Sequence, residues 1–229
     1  MMELRDFDRL GRFDNDWLHA RYHFSFADYH DPGRMGLGFL RVWNDDAIEP
    51  HTGFAPHSHR DMEIVTYIRQ GAITHEDSLG NIGRTEAGQV QVMSAGSGIT
   101  HAEFNRDDDL CRLFQIWIVP RARGLTPRWE TRPFPREHGV LQVLASGLPG
   151  DEHVPVINQD ARVLGATLDP GDTFAHPLNG RLAYLVPARG AVAVGGTVVG
   201  ERSGLVVDGE AELVVEALEA SELVVVETS

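Results

Sequence analysis

Short runs of β-branched and aromatic residues, each ended by glycine, proline or an Asp/Asn turn, recur along the whole chain. Residues 64–68, 90–93 and 113–119 are three such runs, and 24 glycines and 12 prolines supply many of the interruptions. Extended helical periodicity is hard to find. Because this pattern is typical of strands joined by tight turns, the sequence predicts an all-β fold, either a sandwich or a barrel.

A stretch rich in arginine and proline, residues 120–135, divides the chain. At 229 residues the chain is long enough for one large β domain or two of about 100 residues each. The strand pattern resumes near residue 140, so we expect an N-terminal domain over 1–125 and a C-terminal domain over 126–229. Eight of the 11 histidines precede residue 102, and the later ones are unpaired. We therefore expect a metal site in the first domain and none in the second.

The charge balance limits the partners. A net charge of −14 and a pI near 5.1 argue against nucleic acid or an anionic membrane as a partner. The 20 basic residues are all arginine, which excludes a lysine Schiff base. Cys111 is the single cysteine, so no internal disulfide can form and a reducing compartment fits. With no secretory signal and no apolar run of ~20 residues, we expect a cytoplasmic protein.

Two histidine motifs carry the functional signal. His57 and His59 stand two residues apart, and His101 and Glu103 have the same spacing further along the chain. Because successive side chains on a strand alternate faces, each pair projects to one side of its strand. Two such strands brought together would direct three imidazoles and one carboxylate to one point. The spacing thus predicts a metal site.

The ligand types narrow the metal without fixing it. Imidazole and carboxylate suit Fe(II), Mn, Co, Ni, Zn or Cu, and neither motif contains a cysteine. A catalytic ion would also keep an open coordination position. Asp61, Glu63 and His75 are candidate partners for the outer imidazole nitrogens.

These motifs resemble those of a known family. His57-Ser-His59-x3-Glu63-x7-Gly71 resembles the first motif of the cupin superfamily, and the run from Gly88 to Asn105 resembles the second. Gly96 stands where many cupins have proline. The finer resemblance, carried by residues 56–67, 75–80 and 93–103, is to the pirins, and residues 115–120 and 126–130 resemble the shorter, quercetinase-like bacterial members.

The resemblance implies a bicupin, with two β-barrel or jelly-roll domains face to face and one metal ion in the N-terminal domain. The resemblance to pirins implies His57, His59, His101 and Glu103 as ligands. Typical cupins take their carboxylate ligand from the first motif, where Glu63 stands, so Glu63 is the alternative. Strand parity cannot separate the two, since residues 57, 59 and 63 share a face if the strand is regular. Fe(II) is the expected cofactor, with Zn, Mn, Ni, Co or Cu as alternatives. The implied activity is a metal-dependent dioxygenase that opens flavonols such as quercetin with O2. The small aromatic substrate would bind the metal, and Glu103 would act as the catalytic base.

Two other functions stay open on the sequence. One is an iron-containing, redox-responsive regulator that binds a protein partner, the role resembling that of animal pirins. The acidic run at residues 107–109 would suit a basic partner. The other is a metal-bearing structural or storage protein without turnover. An enzyme requires a reachable site beside the metal, whereas a regulator requires a docking patch near it.

Overall fold

The computed structural model describes residues 1–133 and 137–229, and β-strands dominate both ranges. The one helical element described there is a short 3-10 turn, Phe7–Arg9. Within these ranges no helix is long and apolar enough to cross a membrane. The predicted all-β fold is confirmed.

Twelve strands come from the N-terminal part of the chain. In chain order they are β1 (Met2–Arg5), β2 (Gly11–Asp14), β3 (Leu18–Tyr22), β4 (Leu40–Ile48), β5 (Gly53–His59), β6 (Glu63–Gln70), β7 (Ala72–Asp77), β8 (Ile82–Glu86), β9 (Gln89–Ser94), β10 (Ile99–Phe104), β11 (Cys111–Ile118) and β12 (Arg128–Pro133). Eleven of them build two antiparallel sheets, a seven-stranded one in the order β12-β9-β6-β11-β4-β3-β2 and a four-stranded one in the order β5-β10-β7-β8.

Nine strands follow in the C-terminal part. They are β13 (Gln142–Ser146), β14 (Ala161–Leu168), β15 (Thr173–Pro177), β16 (Leu182–Arg189), β17 (Val192–Val194), β18 (Thr197–Val199), β19 (Gly204–Val207), β20 (Glu212–Ala217) and β21 (Ser221–Thr228). Their two sheets have the orders β1-β19-β16-β21-β14-β13 and β15-β20-β17-β18. Each half of the molecule is thus a large sheet paired with a small one.

The two large sheets face each other across a shared core. Their alternate residues form one apolar cluster that includes Trp43, Tyr67 and Phe114 from the seven-stranded sheet and Tyr184 and Val224 from the six-stranded sheet. Alternation along each strand places the opposite face inside its own barrel. Burial of these large side chains joins the halves and stabilises both sheets.

Two strands pair with a sheet on the other side of the predicted boundary at 125/126. β1 lies on the edge of the C-terminal six-stranded sheet, where Leu4 is opposite Leu205. β12 follows residue 125 but pairs with β9 in the N-terminal sheet, where Trp129 is opposite Met93. The division into 1–125 and 126–229 therefore remains a proposal.

The two barrel interiors differ in character. The C-terminal interior is one continuous apolar cluster of residues such as Leu164, Leu185 and Val215. The N-terminal interior holds two smaller apolar clusters. It also contains buried polar side chains, namely Thr66, His75, Gln91, His101, Glu103 and Gln115. A polar group in a core requires hydrogen-bond partners, so this concentration marks the N-terminal barrel as the one with a site.

Candidate metal centre

Strands β5 and β10 bring the two histidine motifs together. They pair antiparallel, with His101 directly opposite His57 and Ile99 opposite His59. The ring centroids of His57 and His101 are 4.5 Å apart, and those of His59 and His101 are 5.0 Å apart. The potential ligand atoms of the three imidazoles all lie within 4.8 Å of one another.

The free nitrogens suit a cation. The Nδ1 of His57 is 2.8 Å from the carbonyl oxygen of Ala55, so it carries the proton and leaves Nε2 with a lone pair. The Nε2 of His101 is buried and has no hydrogen-bond partner in the part of the chain that the structure describes. A buried nitrogen without a partner is costly unless a ligand binds it. The donor set therefore fits a metal ion.

The electrostatics keep two of these rings neutral. Burial, together with the neighbouring His101 and His57, lowers the pKa of His59 to about 4. Burial, together with His57 and His75, lowers the pKa of His101 to about 3. Since a metal binds the neutral imidazole, both rings are ready for coordination well below neutral pH.

A chain of contacts orients His101. Its Nδ1 is 3.3 Å from the Nδ1 of His75, and the Nε2 of His75 is 3.0 Å from the Oδ2 of Asp77. Burial raises the pKa of Asp77, but hydrogen bonds from Asn81 and His75 leave it below its usual value. An ionised Asp77 accepts from His75 Nε2, so His75 Nδ1 is the acceptor for His101. This tautomer pattern aims the lone pair of His101 Nε2 at the other histidines.

Glu103 lies beside His101 but outside the three-histidine group. Its potential ligand atoms fall within 4.8 Å of those of His75 and His101. Gln91 donates to its Oε1 at 2.7 Å, and Gln115 donates to its Oε2 at 2.9 Å. Two amide donors fix the carboxylate in orientation, and each oxygen retains a further lone pair. The assignment of Glu103 as a ligand stays a prediction.

The alternative carboxylate, Glu63, forms hydrogen bonds with residues outside the histidine group. Its Oε2 accepts a hydrogen bond from Ser94 at 2.6 Å, and its Oε1 accepts one from Asn158 at 3.1 Å. The parity argument assumed one regular strand, but β5 ends at His59 and Glu63 begins β6. Asp61, in the turn between them at φ 50°, accepts from the backbone of Gly124. Of the three candidate partners for the imidazoles, His75 is the one that contacts a candidate ligand.

Sequence reasoning missed the two glutamines and the place of Trp117 beside the imidazoles, whereas Phe54 was a candidate for the pocket wall. Gln91 lies between Val90 and Val92, and Gln115 lies between Phe114 and Ile116; an amide flanked by apolar residues was the available signal. Trp117 stands edge-on to His59 with centroids 4.9 Å apart, and the Phe54 ring is 6.1 Å from that of His57. Half-buried aromatic side chains therefore flank the imidazoles on two sides.

Cys111 takes no part in this site. It is buried in the apolar cluster of the N-terminal barrel, and burial raises its thiol pKa to about 12. A protonated thiol is a poor nucleophile and a poor ligand, so Cys111 is an inert core residue.

Comparison with known families covers both halves of the chain. The Pirin family matches residues 4–118, and the family described as quercetinase C-terminal cupin domain matches residues 143–228. The sequence resemblance to the pirins is therefore confirmed.

Individual relatives extend along the whole chain. A Pseudomonas aeruginosa protein with the provisional name quercetin 2,3-dioxygenase is 55% identical over the full length of both chains. The quercetin 2,3-dioxygenase of Escherichia coli K12 is 36% identical over 97% of this chain and 96% of its own.

A solved structure shares the fold closely. It is that of the bacterial pirin YhhW from E. coli in complex with nickel(II), which superimposes with a TM-score of 0.94 at 35% identity, covering 100% of this chain and 99% of the other. The expected bicupin architecture, with two β domains face to face, is confirmed. On the matched domains, the full-length relatives and the shared fold, this chain belongs to the pirin family.

Proposed function

We propose that this protein is a metal-dependent dioxygenase that opens the central ring of flavonols such as quercetin with O2. The observation that carries the proposal is the convergence of three imidazoles on one point, with the buried Nε2 of His101 left without a partner in the described ranges. The E. coli relative named quercetin 2,3-dioxygenase supports the choice of reaction.

In this proposal His57, His59, His101 and Glu103 would hold one divalent ion. Fe(II) is the proposed ion, and Zn, Mn, Ni, Co or Cu also suit these ligands. The nickel(II) complex of YhhW supports a metal in this fold without fixing which one. When bound, the ion would polarise the hydroxyl and carbonyl oxygens of the flavonol and lower the pKa of the hydroxyl.

The side chains around the imidazoles would accept the substrate proton and position the substrate. Glu103 would take the hydroxyl proton, since Gln91 and Gln115 hold its two oxygens beside His101. Trp117 and Phe54 would place the planar substrate between them. The ring then opens with uptake of O2 and loss of carbon monoxide. We also propose a cytoplasmic location, on the ground that the one cysteine stays a free thiol.

The regulatory alternative draws less support from the acidic run. The Asp107 carboxylate accepts two hydrogen bonds from the guanidinium of Arg84, at 2.7 and 2.8 Å. The Asp108 carboxylate lies 2.9 Å from His51. Two of the three acids are therefore engaged within the protein, which reduces their availability to a basic partner.

The test is oxygen consumption with quercetin. Metal-loaded protein should consume O2 in the presence of quercetin, and His101→Ala should lose both the metal and the turnover. His138→Ala, which removes an exposed histidine of the C-terminal half, should retain both. Full activity after complete removal of metal would refute the proposal.

A further inference from the structure

A cavity lies at the edge of the junction between the two large sheets. It has a volume of about 480 Å³, and both halves of the chain contribute to its wall. Its lining residues come from the ends of β6, β11, β16 and β21 and from two turns, and they are Arg69, Gln70, Ala87, Arg112, Ala188, Arg189, Glu201, Arg202 and Glu222. None of them is a candidate ligand of the metal centre.

The wall of this cavity is cationic in an acidic protein. Four of the chain's 20 arginines line it, against the two glutamates Glu201 and Glu222. The whole chain carries a net charge of −14. Guanidinium groups at close range repel one another, so gathering four of them at one cleft costs free energy unless an anion offsets the repulsion.

Ion pairs with a buried carboxylate hold two of the arginines, Arg69 and Arg202, in place. The buried carboxylate of Asp45 forms ion pairs with both Arg69 and Arg202. Arg69 also stacks over the Phe114 ring, with its guanidinium carbon 4.8 Å from the centroid, and Arg202 lies 4.0 Å over Phe7. One carboxylate thus anchors two cations, which are fixed before any ligand arrives.

The side chains of the other two arginines, Arg112 and Arg189, are exposed to solvent at the cavity. Arg112 donates to the side-chain oxygen of Gln70 at 2.6 Å. Arg189 has no acidic ion-pair partner in the residues that the structure describes, although it lies opposite Glu222 in the strand register. The carboxylate of Glu222 accepts a hydrogen bond from Tyr67. With Asp45 counted, the four arginines still exceed the acids by one positive charge.

We propose that this cavity binds a small organic anion through a carboxylate or phosphate group. Both groups match the planar guanidinium fork, which can donate two parallel hydrogen bonds to either of them. The anion would bridge arginines of the two halves, since Arg112 belongs to β11 and Arg189 to β16. Binding would therefore stabilise the interface between the halves.

The seven-stranded sheet separates this cavity from the metal centre. Arg69 shares its strand face with Tyr67, which belongs to the core between the halves. On the other face of β6, Thr66 accepts from Gln91, the residue that donates to Glu103. Because neighbouring side chains on a strand point to opposite faces, the two sites lie on opposite sides of the sheet. This proposal thus stands or falls independently of the dioxygenase proposal.

The test uses the full-length protein and calorimetric titration with two probes, inorganic phosphate and succinate, at constant ionic strength set with chloride. We expect at least one probe to bind, and Arg189→Gln and Arg112→Gln each to weaken that binding by about tenfold or more. Arg123→Gln, an equal charge change at an exposed position outside the cavity, should leave binding unchanged. Both variants alter exposed side chains, so the fold should persist.

The pattern of results distinguishes a phosphate ligand from a carboxylate ligand. Binding of phosphate alone assigns a phosphate ligand, binding of succinate alone assigns a carboxylate ligand, and binding of both assigns a general anion site. Binding that the two arginine variants leave intact, including phosphate captured at the metal centre, would overturn the proposal. So would the failure of both probes, or an equal loss in Arg123→Gln.

Discussion

The two ring nitrogens of His101 differ in role: one contacts His75, and the other is available to bind a metal ion. Nδ1 faces His75 and, through it, Asp77, whereas Nε2 faces the other histidines without a partner in the described ranges. Fixing one nitrogen by a hydrogen bond sets the tautomer and so prepares the other as a ligand. His75 is therefore a positioning residue in this account.

His75→Phe should weaken metal binding, because it keeps a ring stacked on Trp129 but removes the acceptor for His101. The two rings are 4.8 Å apart and inclined by 9°, so phenylalanine can occupy the same place. We expect metal affinity to fall by about 10- to 100-fold. Competition with a chelator measures this, and His138→Phe, at an exposed histidine, should show no loss. Equal affinity in wild type and His75→Phe would contradict the role.

Glu103→Gln and Glu63→Gln distinguish the two candidate carboxylates. In Glu103→Gln the new amide NH2 would face an amide donor of Gln91 or Gln115, and the anionic ligand would be lost. We expect loss of bound metal and a fall of about 1–3 kcal/mol in the free energy of unfolding. Glu63→Gln should retain the metal, measured by elemental analysis. Retention in Glu103→Gln with loss in Glu63→Gln would reverse the assignment.

At this scale the sequence predicted the three histidines and offered His75 as a candidate partner for their outer nitrogens, but it did not predict the two glutamines that hold Glu103. The spacing of His57, His59 and His101 carries information because strand geometry is regular. Gln91 and Gln115 contact Glu103 from two other strands, and no spacing within one segment encodes that contact. Contacts across a sheet depend on strand order, which a single sequence does not reveal.

At the scale of elements, an irregularity in β5 shapes the site. His101 is opposite His57, but Glu103 is opposite Phe54, so β5 has one more residue than β10 between these pairs. The extra residue lies in the Ala55-Pro56 segment, and such a bulge re-aims the side chains next to it. Parity from His57 to Glu63 fails for a separate reason, because β5 ends at His59 and a turn through Asp61 precedes Glu63, so spacing alone could not decide between Glu63 and Glu103.

Gly83 on β8 leaves room for the ring of Trp129 on β12, which supports His75. A Cβ at this position would lie 2.1 Å from the ring of Trp129, which stacks on His75. Gly83→Ala should therefore displace Trp129, lower the free energy of unfolding by about 1–3 kcal/mol and weaken metal binding.

Gly200→Ala is the matched control, since a Cβ there meets nothing within 4 Å. Its free energy of unfolding should change by no more than about 0.5 kcal/mol. Denaturant unfolding and chelator competition on both variants check this prediction. Equal behaviour of the two alanine variants would exclude the proposed role of Trp129.

On the scale of the whole molecule, the core between the large sheets includes a buried histidine. The Nδ1 of His23 is 2.8 Å from the hydroxyl of Tyr184, in the other half of the chain. Burial, with the positive charges of Arg5 and Arg34, holds its pKa well below the ordinary 6.5. The unfolded chain therefore binds a proton at His23 as the pH falls below 6.5, while the folded chain does not.

The consequence is a loss of stability with acid. The contribution of neutral His23 is fully present above pH 6.5 and is lost as the pH falls, by up to about 1.4 kcal/mol per pH unit. His23→Gln should make the pH dependence of the free energy of unfolding shallower by that amount, as measured by urea unfolding between pH 7 and pH 5. His138→Gln should follow the wild type. Identical slopes for wild type and His23→Gln would contradict the linkage.

The sequence predicted two β halves with the metal site in the first, but the exchange of strands between them was hidden. β1 completes the C-terminal sheet although it begins the chain, and β12 completes the N-terminal sheet although it lies within the arginine- and proline-rich stretch. Composition marks a connection between domains, whereas strand pairing follows which edge is free, and that is a property of the assembled fold.

The most direct test of the central claim is anomalous diffraction from crystals of the metal-loaded protein. This account predicts one strong peak within about 2.0–2.3 Å of a nitrogen from each of His57, His59 and His101 and of a carboxylate oxygen of Glu103. A metal peak away from the three histidines, or bound by Glu63 in place of Glu103, would contradict it.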